Sequence, residues 1–187
     1  MKKNIYIRLI YISMNYKELK ELIKQTEIKR TLLNPKYDKQ YFNNVFKPLL
    51  NLGQEFEKIA VKRLIKYHNY DENIKVYSND TIKFDVLLNN ISYEIKADIR
   101  AATTNNIFVE FIQNGKLSGI STTTADNYII VIPYEKLPLF ILIDVLELQF
   151  LIQTMQYKNI IQPNKHNNFT SGYIFDVETV IKNSKLI

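Results

Sequence analysis

The segment 83–96 constrains the fold of this chain more than any other stretch of its sequence. Two apolar runs within it are separated by only two residues, Asn89 and Asn90. Asparagine tolerates the positive φ angles that a two-residue turn requires, so the segment is expected to form an antiparallel β-hairpin. The predicted register pairs Leu88 with Ile91, Leu87 with Ser92, Val86 with Tyr93, and Asp85 with Glu94.

This register brings two carboxylates together. If Asp85 lies opposite Glu94, their Cβ atoms are roughly 5 Å apart, and like charges so close destabilise a sheet unless positive charge lies between them. Lys96 is two residues beyond Glu94 and therefore points to the same face of the strand. The three side chains predict a site for a hard divalent cation. The alternative is an ordinary exposed hairpin that carries acids and a lysine by chance.

The composition restricts which metal such a site can hold. The chain has 187 residues and no cysteine, and its two histidines, His68 and His166, are far apart in the sequence. A disulfide framework, a thiol nucleophile and a cysteine-type zinc site are therefore excluded. Oxygen ligands favour Mg²⁺, Mn²⁺ or Ca²⁺. Two carboxylates and a lysine around such a cation suit phosphodiester hydrolysis, in which Lys96 orients or deprotonates the attacking water.

The motifs around the hairpin resemble a known family. The run 53–60 reads Gly-Gln-Glu-Phe-Glu-Lys-Ile-Ala, Phe84-Asp85 follows it, and Glu94-Ile95-Lys96 completes the set. Together they resemble the PD-(D/E)XK nuclease superfamily, with Phe84 in place of the family's proline. The resemblance implies an α/β fold with a restriction-endonuclease-like core, a mixed β-sheet flanked by helices in the order α-βββ-α-β. It also implies Mg²⁺ as the cofactor, with Mn²⁺ as a substitute, and DNA as the substrate.

The same resemblance implies roles for individual residues. The metal ligands would be Asp85, Glu94, the backbone of Ile95 and one glutamate of the first helix. Glu57 is favoured over Glu55 because its position in the helix motif matches two branches of the family. The two glutamates are about 160° apart around a helix, so only one of them can face the site. The other would remain near the metal or be a solvated acid.

A second segment, residues 106–126, resembles one found in phage and prophage members of the family. There a strand with a central glutamate precedes a Ser-Gly-Ile turn and a threonine-rich helix start. Glu110 is that central glutamate, and it is either a further ligand at or near the metal or an acid at the rim. A short helix is predicted over 121–127. Thr122 at its start is either a phosphate-binding hydroxyl or an ordinary helix cap.

Positive charge is concentrated at the N-terminal end. Residues 1–50 carry seven more basic than acidic side chains, whereas residues 51–187 carry one more acidic than basic. Such an excess favours a polyanion partner, although a lysine-rich coding bias is the alternative explanation. We therefore predict a basic helical extension over 1–50 that packs on a nuclease core over 51–187. The predicted nucleic-acid contacts are Lys17, Lys20, Lys24, Arg100 and Lys116.

Hydrophobic periodicity predicts the remaining elements. Helices are expected over 15–30, from Gly53 to about His68, over 144–156 with Asp144 as its cap, and as a closing helix over 176–183. The inner face of the helix that starts at Gly53 is expected to consist of Phe56, Ile59, Ala60, Leu64 and Ile65. Strands are expected at 73–77, 81–88, 91–97, 107–112, 128–133, 138–143 and, last, 172–175. Loops are expected at 33–50, around Lys116, and at 157–170, and the stretch 5–13 fits either a strand or a helix lead-in.

The sequence carries no convincing signal peptide and no apolar run near the ~20 residues of a membrane span, so a cytoplasmic protein without a membrane partner is expected. The leading functional expectation is a Mg²⁺-dependent DNA endonuclease. Alternatives are a Holliday-junction resolvase or an exonuclease on the same core, or a non-catalytic DNA-binding protein that retains the fold. Since double-strand cutters and resolvases of this fold usually pair up, the resemblance also suggests a homodimer.

Overall fold

The computed structural model describes residues 47–71, 76–77, 84–134, 137–162 and 170–187. Within these ranges the chain forms a mixed α/β fold with two β-sheets and four α-helices. The predicted N-terminal extension lies outside the described residues, apart from its last four positions. The same holds for 73–75 and 81–83 of the predicted strands. None of the described helices is long and apolar enough to span a membrane.

The elements are numbered in chain order. The helices are α1 (Lys47–Tyr67), α2 (Ala101–Thr104), α3 (Val145–Gln153) and α4 (Val177–Lys182). The strands are β1 (Val76–Tyr77), β2 (Val86–Leu88), β3 (Ile91–Ala97), β4 (Asn106–Gln113), β5 (Lys116–Leu117), β6 (Asn127–Ile132), β7 (Leu139–Asp144), β8 (Asn159–Ile161), β9 (Thr170–Asp176) and β10 (Lys185–Leu186).

The larger sheet has the strand order β1-β2-β3-β6-β7-β10, and the smaller sheet has the order β5-β4-β9-β8. Every neighbouring pair is antiparallel except β3 and β6, which are parallel. Parallel neighbours need a crossover connection. Here the crossover contains α2, β4 and β5, so the segment that links two strands of the larger sheet also supplies half of the smaller one.

Helix α1 packs on one face of the larger sheet. Its side chains Phe56, Ala60 and Leu64 recur every four residues, lie on one side of the helix, and are buried. They share a hydrophobic cluster with Tyr93 and Ile95 of β3. The inner face expected from the sequence is confirmed, and it fastens α1 to the strand that carries Glu94 and Lys96.

The first turn of α1 corrects the expected boundary. The helix begins at Lys47, whereas a loop was predicted through residue 50 and the helix start at Gly53. Pro48 lies in the first turn, where a helix has no partner for the missing N–H in any case. A proline that suggests a loop in the sequence is therefore compatible with a helix start.

The other face of the larger sheet packs against the smaller sheet and against α3 and α4. One hydrophobic cluster joins these layers. Its buried members include Ile130, Ile141 and Ile143 from the larger sheet, Ile107, Val109 and Phe175 from the smaller sheet, and Leu148, Leu151 and Val180 from the helices. The larger sheet is thus covered on both faces, and its central strands are apolar on both sides.

The hairpin of β2 and β3 confirms most of the predicted register. Val86, Leu87 and Leu88 pair with Tyr93, Ser92 and Ile91 as expected. Asn89 and Asn90 form the turn with φ angles of 50° and 63°. The regular ladder ends at Val86, so Asp85 lies one residue beyond it.

The short helix predicted over 121–127 is wrong. A 3₁₀ turn covers Gly119–Ser121, and the chain is then irregular until β6 begins. The reason is tertiary, because Asp126 forms backbone hydrogen bonds with two residues that are distant in the sequence. Its N–H donates to the Ser92 carbonyl at 3.1 Å, and its carbonyl accepts from the Val145 N–H at 3.0 Å. These bonds align the start of β6 with β3 and with α3.

Three short strands in the described part of the chain were not predicted from the sequence. Two of them lie where loops were expected, and the third follows the expected last helix. Strand β8 lies within the expected loop 157–170, Lys116 lies in β5, and β10 follows the helix that was expected to close the chain. Two or three residues carry too little periodicity to be recognised, and they form strands because a neighbouring strand pairs with them. The predicted cap at Asp144 is confirmed, since its carboxylate accepts from the Leu146 N–H at 2.7 Å.

Candidate active site

Asp85 is held against β3 by two hydrogen bonds. Its backbone N–H donates to the Tyr93 carbonyl at 2.9 Å, and its Oδ2 accepts from the Ile95 N–H at 2.6 Å. The N–H and C=O of one strand residue point to the same side of the strand. The Ile95 carbonyl therefore points to the edge of β3 at which Asp85 lies. The sequence-predicted pair of Asp85 and the Ile95 backbone is brought together.

Glu94 is a buried acid on the neighbouring position of β3, with 8% of its surface exposed. Burial raises the pKa of Glu94, and the charge of Asp85 adds to the increase. Lys96, by its charge and its hydrogen bond, and a hydrogen bond from Thr123 oppose it. Lys96 Nζ lies 3.0 Å from Glu94 Oε1. The Glu94 carboxylate therefore lies close to another negative charge, and among the described residues Lys96 is the cation that offsets it.

Lys96 is the cation of this cluster, and its side chain is half exposed. Burial alone would lower its pKa, but the charges of Glu94, Asp85 and Glu110 outweigh that effect and raise the pKa of Lys96. The ammonium group is consequently charged at neutral pH. It can orient a water or a phosphate oxygen, and it is a poor proton acceptor until another charge changes.

The two glutamates of α1 have different surroundings. Glu55 is exposed and forms an ion pair with Lys58 at 2.7 Å, one turn along the same helix. Glu57 is half-buried, and its pKa is raised by burial and by the charges of Asp85 and Glu94, while Lys96 lowers it. Glu57 therefore faces the hairpin acids and Glu55 faces solvent, as the helix geometry predicted for one of the two.

Glu110 lies on β4 of the smaller sheet, and its charge acts on Lys96 and Tyr128 of the larger sheet. The Ser118 hydroxyl donates a short hydrogen bond to the Glu110 carboxylate. Gly119 follows with φ of 52°, and a Cβ there would collide with the Glu110 carbonyl. Glu110 also contributes to the raised pKa of Lys96. The predicted Ser-Gly-Ile turn thus packs directly on the glutamate that precedes it, and a glycine is required for that contact.

Tyr128 is a member of the cluster that the sequence analysis did not assign. It is the register partner of Glu94 in the parallel pair of β3 and β6, and it is only 2% exposed. Burial raises the pKa of Tyr128, and the charges of Glu94, Asp85 and Glu110 raise it further. The run Ala125-Asp126-Asn127-Tyr128, which follows the threonines, is the sequence signal that could have found it, because the register of β3 with β6 follows from the crossover.

Three of the predicted nucleic-acid contacts lie in the described part of the chain, each in a different environment. Thr122 is half-buried, and its hydroxyl donates to the Gly119 carbonyl at 3.4 Å, as in an ordinary turn. Arg100 is exposed beyond the end of β3, where the Asp98 carboxylate accepts from the Ala101 N–H at 3.0 Å and redirects the chain. Lys116 is exposed in β5. No hydrogen bond or ion pair joins these three described residues, and Lys17, Lys20 and Lys24 lie outside the described residues.

The oxygen atoms of this cluster are of the kind that bind magnesium at sites with few protein ligands. Within the described ranges, no three His, Cys, Asp or Glu side chains converge closely enough to hold a metal ion. Mg²⁺ is commonly bound by one or two carboxylates, with waters and substrate phosphate completing its coordination. Asp85 and Glu94, with the Ile95 carbonyl, fit that requirement. The carboxylate repulsion in this cluster is a further reason for a cation to bind there.

Comparisons with protein-family models, with curated proteins and with solved structures give no match to this chain. The features of this chain that point to a function are therefore the cluster itself, the chemistry of its side chains and the motifs that carry them.

Proposed function

We propose that this protein is a Mg²⁺-dependent endonuclease that hydrolyses DNA phosphodiester bonds in the cytoplasm. The observation that carries the proposal is the convergence of Asp85, Glu94 and Lys96 on one hairpin, with Glu57 of α1 in electrostatic contact with all three. Glu94 and Glu57 have a pKa raised by burial and by neighbouring acids, and such perturbed acids are characteristic of functional sites. The resemblance to PD-(D/E)XK nucleases, in a restriction-endonuclease-like fold, points to the same residues.

In this proposal, Asp85, Glu94 and the Ile95 carbonyl would hold the cation, and Glu57, whose pKa responds to the charges of Asp85 and Glu94, would be a further ligand. Bound Mg²⁺ would supply positive charge at the phosphate and acidify a water. Lys96 remains protonated beside Glu94, so its role is to orient the attacking water and to neutralise charge on the phosphate oxygens. Mn²⁺ would substitute because it favours the same oxygen ligands.

The proposal is tested by cleavage of three DNA substrates in Mg²⁺, namely supercoiled plasmid, linear duplex and a four-way junction. An endonuclease nicks the plasmid, an exonuclease degrades only the linear duplex, and a resolvase cuts only the junction. A non-catalytic DNA-binding protein binds without cutting any of them. The same assay therefore separates the leading function from its alternatives.

Variants assign the activity to the cluster. Glu94→Gln and Asp85→Asn should abolish cleavage, since each removes one negative charge from the metal-binding pair. Glu57→Gln should reduce it, whereas Glu55→Gln is the matched control on the same helix and should cleave as the wild type does. Full activity in both Glu94→Gln and Asp85→Asn would overturn the proposal. Size-exclusion chromatography with light scattering would test the proposed homodimer.

A further inference from the structure

The hairpin of β4 and β5 ends in an exposed tip, which we define as residues 113–117. All five residues of this hairpin tip are exposed. Asn114 and Gly115 form the turn with φ angles of 51° and 76°, and Gln113 pairs with Lys116. Positive φ at both central residues is typical of the tight turns that match the twist of a hairpin. The tip is therefore a short, regular projection.

The hairpin tip carries one cation and one large apolar side chain. Lys116 is exposed, and Leu117 has 65% of its surface exposed. A single exposed leucine is ordinary on a protein surface. Whether Leu117 has a function therefore depends on where it lies relative to the candidate active site.

The base of the hairpin tip is fixed to the acidic cluster. Leu117 directly precedes Ser118, whose N–H donates to the Phe111 carbonyl at 3.1 Å and whose hydroxyl donates to Glu110. The next residue, Gly119, packs against the Glu110 backbone too closely for any side chain. Glu110 is close enough to Lys96 for its charge to raise the pKa of that lysine, so the base of the tip lies near the candidate active site.

We propose that the hairpin tip contacts DNA whose bases are opened next to the scissile phosphate, with Lys116 on a backbone phosphate and Leu117 against the face of an unpaired base. Proteins that distort DNA commonly place leucine or another apolar side chain against unstacked bases. A lysine beside it neutralises a phosphate and holds the strand. This inference rests on the proposed nuclease function, and it names the substrate class: DNA with unpaired bases beside the cleavage position.

The chain contains a matched control for this surface. Strand β10 has the same two residues, Lys185 and Leu186, and it is also a two-residue strand at a sheet edge. Leu186 is 52% exposed, comparable with Leu117. Strand β10 is separated from β3 by β6 and β7, so equivalent substitutions there change the same chemistry away from the cluster.

The test compares Leu117→Ala and Lys116→Gln with Leu186→Ala and Lys185→Gln. Cleavage rates are measured in Mg²⁺ on a duplex with three unpaired bases at its centre and on the fully paired duplex. The fluorescence of a 2-aminopurine base beside the cleavage position reports unstacking of that base. This measurement uses Ca²⁺ in place of Mg²⁺ so that the DNA is bound without being cut. Full burial of a leucine side chain is worth about 10- to 150-fold in binding. Since one base covers only part of the side chain, Leu117→Ala should lower the preference for the opened duplex by at least about fivefold and reduce the 2-aminopurine signal.

Lys116→Gln should weaken binding of both duplexes and reduce the slope of log K against log salt by about 0.9, one phosphate contact. Both β10 variants should behave as the wild type does. If the wild type cleaves DNA but Leu117→Ala keeps the wild-type preference and fluorescence, the inference about the hairpin tip is overturned and the nuclease proposal stands. If the wild type cleaves no DNA at all, the proposed function is overturned, and this inference with it.

Discussion

The carboxylate of Asp85 accepts a hydrogen bond from the backbone N–H of Ile95 at 2.6 Å, so one acid both closes the end of the hairpin and faces the candidate metal site. Ile95 is buried. Its N–H would be left without an acceptor if the carboxylate were removed, and an unpaired buried donor costs about 1–3 kcal/mol. This relationship changes what substitution of Asp85 should do.

We therefore predict opposite effects of two substitutions at Asp85 on the unfolding free energy. Asp85→Asn keeps an oxygen for the Ile95 N–H and removes one charge from a repulsive cluster, so the metal-free protein should be at least as stable as the wild type. Asp85→Ala relieves the same repulsion but leaves the N–H unpaired, and should lose about 1–3 kcal/mol relative to Asn. Urea unfolding without metal measures both, and equal stability would contradict the role of this hydrogen bond.

Lys96 should matter for cleavage far more than for folding. Lys96→Ala should retain metal binding and lose about 10²–10⁴-fold in cleavage rate, the usual worth of positioning and proton-transfer groups. Lys96→Gln should recover part of that loss if positioning is the larger effect. Lys58→Ala is the control, because Lys58 is also ion-paired with a glutamate but on the solvent side of α1. A wild-type cleavage rate in Lys96→Ala would show that Lys96 is an ordinary solvated lysine of β3 with no role in cleavage.

Tyr128 should tune the acidic cluster without forming part of the reaction. Tyr128→Phe removes a hydroxyl beside Glu94 while preserving the buried ring. Partners of metal ligands are typically worth about 10- to 100-fold in metal affinity or activity. The Mg²⁺ concentration for half-maximal cleavage should rise by about tenfold, with a smaller change in the rate at saturating Mg²⁺. Tyr157→Phe, in the aromatic cluster of the smaller sheet, is the control, and identical Mg²⁺ curves would reduce Tyr128 to a core residue.

Asp126 should make stability depend on pH in the acid range. The hydroxyl and then the N–H of Ser92 donate to its carboxylate at 2.6 and 2.8 Å and lower the pKa of Asp126. A lowered folded-state pKa adds stability above the ordinary value of about 3.9, and that stability is lost as the pH falls through the lower one. Because Asp126 is exposed, solvent screening limits the effect to on the order of 0.5–1 kcal/mol.

The measurement is urea unfolding of Asp126→Asn between pH 2.5 and pH 6. The variant should be less stable than the wild type at pH 6, and the difference should shrink below about pH 4. Glu55→Gln, an exposed acid with a different partner, is the control. A difference that stays constant with pH would mean that the charge of Asp126 contributes nothing to the Ser92 contact.

The N-terminal lysines remain a prediction from the sequence. Replacing Lys17, Lys20 and Lys24 with glutamine should weaken DNA binding at every sequence and flatten the slope of log K against log salt by up to about 3, since each phosphate contact contributes about 0.9. Cleavage at saturating DNA should be retained. An unchanged slope with an intact fold would favour the alternative, a packing helix whose lysines face solvent.

The parts of this protein that the sequence predicts well are those whose causes are local. The hairpin register depends on alternation and on two asparagines, and both lie within a few residues of each other. The buried face of α1 follows from residues four apart, and the cap at Asp144 follows from a single acid before an apolar run. In each case the residues that cause the structure lie within a few positions of it in the sequence.

The parts that the sequence does not predict depend on distant partners. Ser92 determines the conformation of Asp126 and so removes the expected helix, yet nothing near Asp126 in the sequence indicates it. Tyr128 joins Glu94 only through the parallel pairing of β3 with β6. The short strands β5, β8 and β10 exist because longer strands pair with them. For the candidate site, the sequence predicts the acids and the lysine, and the fold adds the tyrosine.

The crossover between β3 and β6 also has a consequence for the order in which the molecule folds. The hairpin that carries Asp85, Glu94 and Lys96 needs only a two-residue loop to close, and hairpins form in about 1–10 μs. Glu110 and Tyr128 can join it only after a much longer loop has closed, and non-local contacts of that kind slow folding. We therefore expect the charged hairpin to assemble first. Its carboxylate repulsion is then an early barrier that low pH or added Mg²⁺ should reduce, so refolding should be faster under either condition.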